Sequence, residues 1–353
     1  MSRHCLPGKV PPVTLPTRDL PGAGVTTTAV GLGCASLFHH PQRTGRRAVL
    51  DAAYDAGIRH FDAAPMYGLG RAEPELGAFL KGRRAEVTVA TKFGIEPTLL
   101  ARAVGLGQGP IRAFLAKRSG AGEGLKAAAG GPESGLVGRL LYAAPGYHKQ
   151  GAQAGLERSL RALGTDYIDV FMLHDPAGAL TTGAPELVDY LDEQRRKGRI
   201  RCWGVTGQAY QMAGLGQSFA GSQVAQFRDD VFEESPDADQ IPEKAWITFG
   251  VLSQALPALR QFLAQSPGAV EAWSDRLGVD LAQESSLPRL LLSAALRRNT
   301  AGPVLFSTTR PERVQVAAEA AARSTAAHDA EAAALTELAA AARSGSPERS
   351  STS

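Results

Sequence analysis

Eight short apolar runs, each closed by turn-forming residues, recur along this chain with helix-like stretches between them. That alternation limits the fold more than any other feature. The runs are Ala29–Leu32, Ile58–Phe61, Val87–Ala90, Tyr167–Leu173, Ile200–Val205, Ser222–Phe227, Trp246–Val251 and Pro303–Phe306. Their length and apolar character read as buried strands. Between them, Thr44–Ala56, Glu73–Lys81, Gly151–Leu163, Pro185–Lys197, Leu256–Gln265, Leu287–Arg298 and Pro311–Ala322 carry amphipathic helical spacing. A strand that returns through a helix must lie parallel to its predecessor, so the pattern predicts βαβ units. Periodicity alone allows an open doubly wound sheet, but eight strands in this alternation favour an α/β fold of the (β/α)8 TIM-barrel type.

Two segments break the rhythm. Residues 94–150, rich in Gly and Ala, separate the third strand from its helix, where connections of ~2–6 residues are usual. An insertion of that size is expected to form either a mobile cover or a tolerated surface excursion. After the last strand, Ala317–Arg343 is rich in Ala and helical in propensity, and residues 344–353 form a polar tail expected to be disordered. Residues 1–353 therefore read as one barrel domain, with its core at about 15–322 and a C-terminal helical extension.

Composition excludes several function classes. Of the 353 residues, 44% are hydrophobic and 21% charged, close to globular averages, and the net charge of +3 is scattered. Short basic runs such as Arg195-Arg196-Lys197 sit at a helix end, so no nucleic-acid partner is expected. The N-terminal stretch lacks the apolar core of a signal peptide. The best apolar run, Leu287–Leu296, is broken by Pro288 and Arg289, so no membrane span is expected. The three cysteines, Cys5, Cys34 and Cys202, are widely spaced with no CxxC, which suits reduced thiols and a cytoplasmic location. His39-His40 has no companion ligands, so no metal site is expected.

Chemistry on a barrel of this kind sits where strands end and βα loops begin. The second strand ends in Asp62, with Tyr67 in its loop; the third ends in Lys92; the fourth ends in His174. A phenol titrates near 10, too high for easy proton exchange at neutral pH, and a neighbouring ammonium would lower that value. Lys92 could do so, with Asp62 holding Lys92 charged and His174 sharing the proton path to a carbonyl oxygen. Taken singly, each residue has a plain alternative: Asp62 as a helix cap, Lys92 as a surface charge, His174 as a satisfied polar group. Their gathering at the ends of consecutive strands favours the chemical reading.

The stretches GIRHFDAAPMYGLGRAEPELG, TKFG and RSLRALGTDYIDVFMLHDP carry a resemblance to the aldo-keto reductase superfamily, which extends from about Leu15 to Ala322. The resemblance implies a catalytic set of Asp62, Tyr67, Lys92 and His174, with hydride exchanged at a nicotinamide bound without a Rossmann domain. It assigns cofactor contacts to Thr206 and Gly207 in GVTGQ, where many members carry a Ser-Asn pair, and to Gln226. VLFSTTRPERVQVAAEAA resembles the adenosine-phosphate loop, which adds Ser307, Thr308, Thr309, Arg310 and Arg313. Arg310 and Arg313 suit a 2′-phosphate, so NADP(H) is the favoured cofactor, with NAD(H) as the alternative. Asp229 stands near the usual place of the aromatic that stacks on nicotinamide, with Phe227 or Phe232 as substitutes, and Ala317 stands where an adenine-binding Asn is common. The implied function is interconversion of an aldehyde, ketone or sugar carbonyl with its alcohol. The alternative is a cofactor-binding barrel with a sensor or regulatory role.

Overall fold

The computed structural model describes residues 14–106 (except 21 and 23), 138, 140–176 (except 145), 184–212, 219, 221–232, 244–265, 268–323 and 325–344. An antiparallel hairpin of β1 (Thr17–Leu20) and β2 (Val25–Thr28) comes first, followed by β3 (Val30–Gly33), β4 (His60–Asp62) and β5 (Thr88–Phe93). A two-residue antiparallel pair, β6 (Glu96–Pro97) with β7 (Tyr142–Ala143), marks the insertion. After it come β8 (Ile168–His174), β9 (Ile200–Gly207), β10 (Val224–Arg228), β11 (Ala245–Phe249) and β12 (Val304–Phe306). β3, β4, β5 and β8 to β12 close into a parallel barrel, with β12 pairing back onto β3. The fold is the (β/α)8 barrel that the alternation predicts.

The helices are α1 (Arg43–Asp55), α2 (Ala72–Leu80), α3 (Leu99–Leu106), α4 (Lys149–Leu163), α5 (Ala184–Arg196), α6 (Ala255–Ala264), α7 (Ala269–Leu277), α8 (Ser286–Arg298), α9 (Glu312–Ala322) and α10 (Thr325–Ser344). Every helix expected from apolar spacing is present. α4 shows why the sequence marks its ends. The His148 imidazole accepts the Gly151 N–H at 3.1 Å, and Gly164 closes the helix in the left-handed conformation at φ 65°. α7 lies where no element is expected from sequence; none of its residues is fully buried, and Val270, Trp273 and Leu277 form a half-buried stripe against the outer core.

Two cores result. Leu76, Phe79, Leu156, Leu191, Leu290 and Val314 help fill the layer between barrel and helices. Inside the barrel, Ala90, Val170, Met172, Cys202, Val224, Ala245, Ile247 and Leu305 pack together, and Leu20 and Val25 of the hairpin join them. The hairpin is tied down by Arg18, whose guanidinium donates to the carbonyls of Leu296 at 2.9 Å and Gly302 at 2.7 Å, and also to that of Asn299. Its signal in the sequence is the turn-forming Pro21-Gly22 dipeptide between short alternating runs, which are too brief to separate from a loop by periodicity.

Within the insertion, β6, β7 and α3 are described, with Thr98 Oγ1 donating to the Leu140 carbonyl at 2.8 Å. Residues 107–137, where a cover would lie, fall outside the described residues, as does the 345–353 tail. The helical extension is α10, which buries Leu335, Leu338 and Ala342 against the outer core. His328 Nε2 lies 2.8 Å from the Ala320 carbonyl, and an Arg323–Glu331 pair at 3.1 Å adds to the junction. Among the described residues no helix is long and apolar enough to cross a membrane.

Barrel closure depends on close strand approach at Gly204, where a Cβ would lie 2.2 Å from the Val224 carbonyl oxygen. Gly204→Ala is expected to lower the free energy of unfolding by about 1–3 kcal/mol through overpacking. Urea denaturation checks this, and an unchanged midpoint would contradict the reading.

Candidate active site

Alternate strand residues face the barrel axis, so register decides which side chains meet. The ladders align Gly33 with Asp62 and Ala90, Lys92 with Met172, and His174 with Thr206, which in turn aligns with Gln226. Asp62, Lys92, His174, Thr206 and Gln226 thus share the inward parity of the apolar interior layer and crown it at the C-terminal end. Tyr67 enters from the turn after β4.

At the centre is a buried ion pair. Lys92 Nζ donates to both Asp62 oxygens, at 2.7 and 2.9 Å, and to the Ala63 carbonyl at 3.0 Å. Lys92 is 1% exposed and Asp62 3%. From the far side of the barrel, Gln226 Nε2 donates to Asp62 Oδ2 at 2.9 Å, so a strand-six amide also holds the carboxylate. Burial alone would lower the Lys92 pKa, but Asp62 and Tyr67 outweigh it and raise it, so the ammonium stays charged.

Tyr67 lies with the Lys92 ammonium 5.1 Å from its ring centroid and with the His174 ring 6.1 Å away, edge-on. Three successive left-handed residues after it, Gly68 (φ 59°), Leu69 (φ 57°) and Gly70 (φ 89°), turn the chain sharply. Leu69 is not glycine, so its backbone is strained by roughly 1–3 kcal/mol. The turn is locked by the Phe38 ring, whose Cγ is 2.4 Å from where a Gly68 Cβ would be.

The electrostatics correct one expectation. Burial raises the phenol pKa of Tyr67 above 10, and the opposing pull of Lys92 is the smaller effect. Net lowering by the lysine, expected from sequence, does not occur, because burial disfavours the phenolate more than the Lys92 charge favours it. Tyr67 is therefore a neutral phenol at pH 7. His174 is held neutral as well, its pKa pushed down to about 3 by burial and then by Lys92, and its buried Nδ1 has no hydrogen-bond partner among the described residues.

The other assigned residues are more dispersed. Thr206 is buried on β9, its carbonyl accepting the Asp175 N–H at 2.9 Å, and Gly207 ends that strand. Ser307 donates to the Gly33 carbonyl at 2.9 Å, bridging β12 to β3. Thr308 Oγ1 accepts the Arg310 N–H at 3.1 Å, shaping the turn that carries the half-buried Thr309 into α9. Arg313, exposed at the start of α9, pairs with Glu284 at 2.6 Å.

The three suggested ring-stacking positions do not reach the axis. Asp229 is buried in an ion pair with Arg298 at 3.1 Å, and Phe227 packs outward against Trp246 at 5.5 Å. Phe232 is half-buried beneath the Arg343 guanidinium at 5.5 Å. Ala317 is wholly buried in the core and offers nothing to an adenine.

Sequence reasoning missed Phe249, which ends β11, pairs in register with Arg228 and packs on the barrel interior. Its signal is the alternation Ala245, Ile247, Phe249. It missed Glu284 too, because partners far apart in sequence meet only through the fold.

A parallel barrel with a buried lysine–aspartate pair beside a tyrosine and a neutral histidine defines an α/β-barrel protein with a polar cluster at its C-terminal face. The chain belongs to the aldo/keto reductase family, whose family model matches residues 29–214. A D-threo-aldose 1-dehydrogenase of Pseudomonas sp is 32% identical over 194 residues, covering 52% of this chain and 51% of that protein. A pyridoxal 4-dehydrogenase of Microbacterium luteolum is 44% identical over 80 residues, 22% of this chain and 23% of that one. The match to the first of these spans about half its length. Among solved structures, the holo form of an aldo-keto reductase from Bacillus halodurans superposes with a TM-score of 0.64 at 19% identity, covering 92% of this chain and 96% of that one. A glycerol dehydrogenase from Gluconobacter oxydans gives 0.64 at 17%, covering 96% and 99%. At such identities these likenesses concern the fold.

Two buried histidines predict a pH dependence of stability. His60, in the barrel interior with Nδ1 2.9 Å from Thr88 Oγ1, is depressed by burial to about 4, and His174 to about 3, against an ordinary 6.5. The unfolded chain therefore takes up protons that the fold refuses. Stability is full above pH 6.5 and is lost as pH falls from there toward 4, by up to about 1.4 kcal/mol per pH unit for each histidine. Urea midpoints between pH 7 and 4.5 should show this slope, reduced in His60→Gln. A flat profile would contradict it.

Proposed function

We propose that this chain interconverts a carbonyl and an alcohol as an NAD(P)(H)-dependent oxidoreductase, with Tyr67 as proton donor and acceptor. The observation that carries the reading is the charged, buried Lys92–Asp62 pair set beside a neutral phenol and a neutral imidazole. Tyr67 holds a proton at neutral pH and gives it to a carbonyl oxygen in the reductive direction. Lys92 stabilises the phenolate left behind, Asp62 and Gln226 keep Lys92 oriented, and His174 offers a buried ring nitrogen, unpaired among the described residues, near the site.

The residues fit a nicotinamide cofactor. Gln226 commits its N–H to Asp62, which leaves its amide oxygen to accept from a carboxamide, with Thr206 and Gly207 beside it. Phe249 supplies an inward aromatic face at the neighbouring strand end. Ser307, Thr308, Thr309, Arg310 and Arg313 line the start of α9, where barrel enzymes hold phosphate. When bound, the cofactor supplies or takes the hydride at the carbonyl carbon. The substrate is a small aldehyde, ketone or sugar, a reading that the aldose and pyridoxal dehydrogenase relatives support. A cytoplasmic location and the absence of nucleic-acid partners belong to the same proposal. The sensor reading draws on Ala317 and on the Glu284 carboxylate that already occupies Arg313.

Tyr67→Phe separates the two. It removes one oxygen, so cofactor binding should persist while turnover falls by ~10²–10⁴-fold, the range for losing a general acid. NADPH oxidation with an activated aldehyde measures this. Equal activity in the variant rules out the mechanism, and a wild type that binds cofactor yet reduces nothing on a broad carbonyl panel favours the sensor.

NADP(H) is the preferred cofactor in this proposal, because Arg310 and Arg313 can grip a 2′-phosphate once it displaces Glu284 from an exposed pair of small net strength. Dissociation constants for NADPH and NADH should differ in wild type and converge in Arg313→Ala. Equal affinities that the substitution leaves unchanged would contradict the preference.

A further inference from the structure

Among the described residues, the carbonyl of His174 has no backbone ladder partner toward β5. Pairing of β5 with β8 stops at Phe93 and Leu173, one residue short of His174, and Gly94 then leaves the strand direction at φ 107°. On the β9 side the backbone is fixed, since Asp175 N donates to the Thr206 carbonyl at 2.9 Å. Asp175 itself is a non-glycine residue at φ 55°, a conformation that persists only where surrounding contacts hold it.

Tyr147 supplies those contacts. Its hydroxyl donates to the His174 carbonyl and lies 3.1 Å from the Asp175 carbonyl, so one O–H spans both peptide oxygens of the turn. The ring is seated against Gly94, where a Cβ would come 2.0 Å from Cε1, and its centroid lies 6.3 Å from that of Phe93. The residue therefore stands where the next ladder hydrogen bond would be, with its ring on the strand of Lys92 and its hydroxyl on the strand of His174. It also lies between β7 of the insertion and the His148 cap of α4.

We propose that Tyr147 is a positioning residue for His174, a phenol that replaces the missing ladder bond between β5 and β8 and sets the imidazole against Tyr67. Through it the end of the insertion is coupled to the strand end that carries His174. The catalytic consequence rests on the reductase reading above, whereas the positional claim does not.

The experiment follows the ring resonances of His174 and His60 by ¹⁵N NMR in wild type and Tyr147→Phe, with His174→Gln giving the assignment. The His174 resonances should shift, while those of His60, in the barrel interior, stay in place. In parallel, kcat with an activated aldehyde should fall by roughly ten- to a hundred-fold, the cost of a misplaced group, with the NADPH dissociation constant within about twofold of wild type. Gly94→Ala, which drives a methyl into the Tyr147 ring, should displace the same resonances and serves if Tyr147→Phe does not fold. Unmoved His174 resonances in a folded variant would overturn the proposal, as would a lowered melting temperature with kcat unchanged. Shifted resonances in an enzyme that binds cofactor but turns nothing over would leave Tyr147 as the positioning residue and remove the reductase reading.

Discussion

Lys92 and Asp62 form a charge pair with almost no solvent around it, and the top of the barrel is organised by what that pair requires. Leaving either charge unpaired in such a place costs several kcal/mol, so all the available partners are recruited. The ammonium uses both carboxylate oxygens and the Ala63 carbonyl, and Gln226 reaches across the barrel to the same carboxylate. Groups on β4, β5 and β10 are thereby locked to one another.

The same burial sets the proton inventory. In an open cleft, Lys92 would draw Tyr67 toward the phenolate and His174 would titrate near neutrality. Inside the barrel, desolvation opposes every new charge, so the phenol and the imidazole both stay neutral beside a permanent ammonium–carboxylate pair. One charged pair and two neutral proton-bearing groups is an arrangement suited to giving a proton away and stabilising what remains. The neighbouring turns carry backbone strain: Leu69, two residues after Tyr67, and Asp175, directly after His174, are non-glycine residues with positive φ.

The periphery follows a different logic. Arg310 and the Arg313–Glu284 pair are exposed, and their electrostatics are screened by water. In the function proposed above, a cofactor phosphate would compete there at little cost, whereas the core pair is held by buried partners. Rigid chemistry at the centre and adaptable recognition at the rim is the division that strand ends and loops impose on a barrel.

The barrel was legible because eight apolar runs in alternation with amphipathic helices leave few other ways to bury their faces. Asp62, Lys92 and His174 were legible because Asp62 and His174 end their strands and Lys92 lies one residue before the end of β5, and period-two geometry sends residues of one parity inward. The direction of the Tyr67 shift was not legible, because the balance between desolvation and an opposite charge depends on distances and burial that no linear pattern contains. Phe249 was hidden for a related reason: Asp229 lies near the expected place in sequence, but its outward parity pairs it with Arg298, and the inward aromatic comes from the next strand. Tyr147 and Glu284 act on residues 27 and 29 positions away, across segments whose path only folding decides. Sequence determined which strands form and which polar groups cap them, since both are local and periodic. Tertiary structure decided which groups stay charged and which loop residues hold them, since both depend on packing and exclusion of water.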